Sequence, residues 1–226
     1  MAPFQILPAT PADSLTIVTQ CAEPAFHNDT LRLATFPPSL IDPANPHAER
    51  DWRVARQQKR INDGMIVHKA VDEESGLIAG FAVWKKPTEG ADIEEEKQEL
   101  HSACPPFAVK EIYDASIDGM ENARKQAVGE DRNVWYLAGL ATSPLFQRKG
   151  IGAQMLQWGI DQSERDGLPI YLEATPAGEP LYRKMGFETV AIIDCAYFLP
   201  KGVSYVVHVM LRKPRGEKGE SSDFGI

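Results

Sequence analysis

Between residues 135 and 188 the chain reads strand, glycine turn, amphipathic helix, strand, turn and short helix. The turn is Gln147-Arg148-Lys149-Gly150-Ile151-Gly152, and the closing segment is Leu181-Tyr182-Arg183-Lys184-Met185-Gly186-Phe187. Over 150–165, Ile151, Met155, Trp158 and Gln162 share one helix face, with Leu156 and Ile160 beside them. A turn that carries two cations and two glycines into a helix start suits phosphate groups. Its main-chain N–H donors point outward, with the positive end of the helix dipole behind them.

The flanking sequence supplies further elements. Residues 4–7 predict a first strand. Thr10-Pro11 opens a helix to about residue 25, with Pro11 at its first position. Prolines at 37, 38, 43 and 46 break the chain, and 47–61 predicts a mostly exposed helix. Residues 65–71 and 77–84 form an antiparallel ribbon around the polar turn 72–76. Residues 134–141 and 170–173 are buried-type strands, and 179–185 is a short helix ended by Gly186. Strands at 187–198 and 203–211 follow. The fold class is α/β, with a mixed, mostly antiparallel sheet flanked by helices. Residues 1–212 read as a single domain, and 213–226 as a charged, glycine-rich flexible tail. Residues 87–133 stand out as a helical and loop insertion. The run Glu94-Glu95-Glu96 there reads as a solvated face, or as part of a lid over the mouth of a site.

Composition narrows the function. The net charge of −8 argues against binding nucleic-acid backbones. It fits a site that collects cationic amines, although acidity often serves solubility alone. Cys21, Cys104 and Cys195 are scattered, which makes a poor disulfide framework and a poor metal site. No membrane span and no signal peptide are expected, and the location read from this is cytoplasmic, with the nucleus also open.

Taken alone, the G-x-G turn is ambiguous. It lacks the Lys-Ser/Thr ending of a nucleotide-triphosphate loop, and Ala153-Gln154-Met155 leaves out the third glycine of a dinucleotide fold. Tight helix–strand packing would explain it equally well. Its neighbours decide. Gln147-Arg148-Lys149-Gly150-Ile151-Gly152 matches the Gln/Arg-x-x-Gly-x-Gly/Ala signature of the GCN5-related N-acetyltransferase (GNAT) superfamily, which the region resembles. The small-residue strand end Leu140-Ala141-Thr142-Ser143-Pro144 precedes it, and the aromatic-Gly-Phe segment around Gly186-Phe187 follows. The sequence Tyr171-Leu172-Glu173-Ala174-Thr175-Pro176-Ala177-Gly178 is similar to that of small fungal members.

The resemblance implies acetyl transfer from acetyl-coenzyme A to an amine, without a metal. Arg148, Lys149, Gly150, Ile151, Gly152 and Ala153 would hold the pyrophosphate, with Gln147 opening the motif. Leu140, Ala141 and Thr142 would lie along the pantetheine arm. Tyr182 matches the position of a proton donor to the leaving thiolate. Glu173 is a candidate base, or a member of an internal hydrogen-bond network. Trp84 and Trp135 are candidate walls of an aromatic acceptor pocket, or core. His68 reads as structural. The acceptor is a small-molecule amine or, alternatively, a peptide or protein amine; a third reading is a silent coenzyme A-binding protein. A homodimer is common in the superfamily.

Overall fold

The structure, a computed structural model, describes residues 4–88, 93–130 and 132–215. Strand β1 (Phe4–Pro8) leads into a helix over residues 11–26, here α1, whose start is closed by Thr10 donating from both N–H and Oγ1 to Asp13 Oδ2. Within α1, Val18–Ala22 widens to a π-helical turn that the sequence pattern does not announce. Helices α2 (Thr30–Thr35) and α3 (Ala48–Asn62) follow, then the hairpin β2 (Ile66–Asp72) and β3 (Ile78–Lys85). The hairpin turn is fixed by Asp72, whose Oδ2 accepts from Ser75 N–H and Oγ. Next come α4 (Ile93–Ser102), α5 (Lys110–Val128), β4 (Trp135–Thr142) and α6 (Ile151–Asp166). The chain then runs through β5 (Ile170–Ala174), α7 (Glu179–Lys184), β6 (Glu188–Asp194) and β7 (Val206–Arg212).

Among the described residues, seven strands form one sheet in the order β1-β2-β3-β4-β5-β7-β6. All neighbours are antiparallel except β4 and β5, which run parallel. That parallel pair is short. Trp135 lies opposite Ile170 and Tyr136 opposite Tyr171, and beyond them the two strands part. β4 continues to Thr142 on β3, and β5 continues to Ala174 on β7. The sheet therefore opens into a cleft at its centre.

Alternation along β4 and β5 sends side chains to two faces. Trp135, Leu137, Ile170 and Leu172 join Met155, Leu156 and Ile160 of α6 in the largest core cluster. On the other face α1 covers Phe81, Val83 and Ala141, while α5 covers Tyr171, Val207 and Val209. α6 sits unusually close to β3. A Cβ at Gly159 would fall 2.1 Å from the fully buried Trp84 indole, so only glycine admits that ring.

Two elements differ from their sequence expectation. The strand expected over 187–198 stops at Asp194, because Asp194 Oδ1 accepts from Ala196 N–H and starts the 3-10 turn Cys195–Tyr197. The helix expected to be mostly exposed buries Glu49 and Gln57. Glu49 is buried because Arg32 and Arg53 both clasp it, at 2.6 and 2.7 Å. Of the tail expected at 213–226, residues 216–226 lie outside the described residues. Arg215 N–H donates to Glu164 at 2.7 Å.

Candidate active site

The glycine turn folds as a left-handed step into α6. Arg148 and Gly150 have φ of 66° and 86°, and Gly150 is the residue before the first helical turn. Gln147 Nε2 donates to the Thr142 carbonyl at 3.2 Å, which pins the turn to the end of β4. Lys149 lies over the Phe146 ring at 5.1 Å. No side chain caps α6, so the N–H groups of its first turn are left for another acceptor. Around Gly150 an added Cβ would meet nothing within 4 Å, whereas at Gly152 it would meet Leu181 at 3.0 Å. This turn has the shape and polarity of a diphosphate cradle, at the mouth of the cleft between β4 and β5. The β5-facing edge of β4 beyond Tyr136 offers main-chain groups with no partner strand. A coenzyme A molecule fits these features.

On the opposite face lies a cavity of about 610 Å³. Tyr136, Ala138 and Glu173 form its floor, at the point where the central strands part. One wall is α3, through Arg56, Lys59 and Arg60; the other is α4 and α5, through Glu96, Leu100, Met120 and Arg124. Helices α4 and α5 thus build the side of this cavity away from α3.

Glu173 is only part-buried by its surface, yet burial raises its carboxyl above the usual carboxylate range. Tyr171, Arg124 and Tyr136 oppose that rise without cancelling it. Arg124 lies over the Tyr136 ring at 4.9 Å and is paired with Glu121, which also binds Arg132. Tyr136 is itself held far above the ordinary phenol value by burial and by Glu173, so it stays neutral.

The acetyltransferase (GNAT) family model matches residues 29–187. The chain belongs to the GNAT acetyltransferase family. Its match to a probable acyltransferase, SID5, of Ajellomyces capsulatus is 42% identical over 45 residues; this is 20% of the chain and about a third (33%) of that relative's length. A Corynebacterium glutamicum structure described as histone acetyltransferase HPA2 and related acetyltransferase is 26% identical. It covers 96% of this chain and 99% of its own, with a TM-score of 0.60. The Drosophila melanogaster polyamine N-acetyltransferase is 12% identical, covering 93% and 100%, with a TM-score of 0.67, and so shares the fold. The mixed sheet with its flanking helices is the GNAT acyl-CoA N-acyltransferase fold.

Within this GNAT fold the residues singled out from the sequence separate into three groups. Leu140, Ala141, Thr142 and residues 147–153 gather around the cleft mouth as one structural unit. Glu173 lines the cavity, while Tyr182 lies in the core cluster on the α6 face of the sheet. Tyr182 packs with Phe146, Ile151 and Phe187, and burial raises its hydroxyl well above the usual phenol value. Trp84 and Trp135 belong to neither wall of the cavity, and the structure corrects that expectation. Both are core, Trp84 under Gly159 and Trp135 held by Nε1–H donating to Asp166 at 2.9 Å. His68 is buried edge-on against Trp158, with ring centroids 4.5 Å apart, and burial lowers its pKa.

Sequence reasoning passed over Arg56, Arg60, Tyr136 and Arg124. The available signal was the spacing of Arg53, Arg56 and Arg60, which repeats on one helix face. Both carboxylates (Asp63, Glu96, Glu99, Glu121, Glu173) and cations line the cavity. Burial pushes the Cys21 thiol up to about 12 and Cys195 up to about 11, so neither is a thiolate at neutral pH. Among the described residues no group of three or more His, Cys, Asp or Glu could hold a metal ion, and no helix is long and apolar enough to cross a membrane.

Proposed function

We propose that the protein is an acetyl-CoA-dependent N-acetyltransferase acting on a primary amine of a small molecule, with both substrates bound together. One arrangement carries this reading: an uncapped helix start at the cleft mouth on one face, and a cavity floored by Glu173 on the other. The fold shared with a polyamine N-acetyltransferase supports a small acceptor, as does the cavity's volume of about 610 Å³.

Acetyl-CoA supplies a thioester carbonyl open to attack. The N–H groups of Ile151, Gly152 and Ala153 bind its diphosphate, and Arg148 and Lys149 add charge at the rim. The free edge of β4 at Leu140, Ala141 and Thr142 aligns the pantetheine arm, and a main-chain N–H near Leu140 stabilises charge developing on the carbonyl oxygen. An alkyl ammonium with a pKa near ~10.4 is neutral in only about one part in a thousand at pH 7. Glu173, held above the usual carboxylate range, takes the proton directly or through water. Tyr182, kept protonated by burial, donates to the departing thiolate. No cysteine serves as an acyl carrier, because burial raises the thiols of Cys21, Cys104 and Cys195 and they resist ionisation.

A thiol-release assay with a panel of small amines and peptides tests this. Turnover on small amines is the expected result. Activity confined to peptides moves the acceptor to a protein, and acetyl-CoA binding without any release removes catalysis. Absence of calorimetric heat on titrating acetyl-CoA into folded protein removes the whole reading.

A further inference from the structure

The cations of the cavity wall are not equivalent. Lys59 pairs with Asp63 and Glu99 at 2.7 and 2.9 Å, Lys85 pairs with Glu96 at 2.6 Å, and Arg124 pairs with Glu121. Arg56 and Arg60 have no carboxylate or hydrogen-bond acceptor among the described residues. They stand four residues apart on α3, on the same side of the helix, and both line the cavity. The Arg56 guanidinium carbon lies over the Trp52 ring, 5.3 Å from its centroid, a cation–π contact that leaves its N–H donors without an acceptor.

Two like charges on one helix face repel, and neither is fully hydrated here. Burial lowers the pKa of both. For Arg60 the Arg56 charge adds to burial, and the value falls to about 9. Both remain cationic at neutral pH. A chain with 32 acidic residues against 24 basic ones has ample means to neutralise such a pair, and α3 carries acids elsewhere. An uncompensated, partly desolvated pair of guanidinium groups is costly without an anion and a strong binding site with one.

We infer that Arg56 and Arg60 form an oxyanion-binding end of the acceptor site, so that the preferred acceptor is an amine that also carries an acidic group, of the amino-acid type. The inference rests on the acetyl-transfer reading and deepens it. Tyr136 joins the two ends. Its phenol faces Glu173 on one side, and both arginines are close enough to act on it electrostatically. An acceptor held by its acid at α3 would present its amine toward Glu173 and the cleft between β4 and β5. Plain polyamines and monoamines lack the group that the arginines await.

The test uses matched pairs on the full chain: tryptophan against tryptamine, ornithine against putrescine, and O-phosphoethanolamine against ethanolamine. Expected is a kcat/KM at least about tenfold higher for the acidic member of one or more pairs. Which pair responds separates carboxylate from phosphate. In Arg60→Gln and in Arg56→Gln/Arg60→Gln, KM for that acid rises, the acid-to-amine ratio falls toward one, and KM for acetyl-CoA is unchanged. A second readout needs no turnover. With coenzyme A present, the acidic compound raises the melting temperature of the wild type but not of the double variant. The double variant without ligand melts higher than the wild type, since a repulsive pair is gone. The inference is overturned by equal or better use of the decarboxylated partners, by no acidic compound binding, or by a raised KM for acetyl-CoA in the variants. The last outcome would mean that the arginines serve the coenzyme phosphates. Amine turnover without acid preference would leave the acetyltransferase reading standing while removing this one.

Discussion

Glu173 sits where a carboxyl is held above its ordinary range by burial that Tyr171, Arg124 and Tyr136 do not fully offset. Its folded form therefore binds protons more tightly than the unfolded chain. The stability tied to it is present at low pH and is lost as pH rises through the raised value. Glu173→Gln is expected to melt higher than the wild type at pH 7–8, with the gap closing toward pH 4, while kcat falls by about 10²-fold or more and its acidic limb disappears. Tyr182→Phe should lower turnover throughout pH 6–9 without changing the shape of the profile, because the buried hydroxyl stays protonated over that range; unchanged turnover would remove it from the chemistry. The glycine turn and the short helix that carries Tyr182 were legible in the sequence because their spacing is local. Arg56 and Arg60 were not, since their character depends on which acids other elements bring opposite them. Trp84 and Trp135 misled for a related reason. An indole on a strand looks the same whether it faces a helix or a cavity, and Gly159 settles the matter for Trp84.

Among the elements, α6 carries two kinds of glycine. Gly159 is a packing residue, and Gly159→Ala should cost about 1–3 kcal/mol in denaturant unfolding, because the buried indole beneath it has nowhere to move. Gly152 faces the cleft, where the contact is the flexible end of Leu181. Gly152→Ala should keep stability nearly intact and raise KM for acetyl-CoA about tenfold, or ~1.4 kcal/mol of binding. Calorimetry of acetyl-CoA binding distinguishes the two. The strand–turn–helix order over 135–188 was readable because apolar periodicity and glycine placement agree there. The π-helical turn in α1 and the early stop of β6 were not. The first arises from packing, and the second from a single aspartate side chain bonding its own backbone.

For the molecule as a whole, α4 behaves as a wall with a weak foundation. None of residues 94–102 of α4 is buried, and the helix is held by polar ties: Lys85–Glu96, Lys59–Glu99, His101–Asp114 and the Tyr113 hydroxyl donating to the Leu100 carbonyl. Exposed ion pairs of this kind are each worth about 0–1 kcal/mol. Amide hydrogen exchange should therefore be faster in α4 than in α6 by orders of magnitude, and should slow when acceptor and coenzyme A are both bound. Similar protection in the two helices would refute this. That helices lie between β3 and β4 was visible as a change in composition. How they meet α3 across the cavity was not, because those contacts join parts of the chain distant in sequence.

The parallel seam between β4 and β5 consists of two residue pairs, Trp135 with Ile170 and Tyr136 with Tyr171. On one side of it stand β1 to β4 and on the other β5, β7 and β6, so the sheet is least continuous along its own midline. A guest that lies along the unpaired edges supplies rungs the protein itself omits, and so fastens two half-sheets into one. Occupancy and rigidity thereby become linked, so that filling the edges stiffens the sheet and emptying them loosens it.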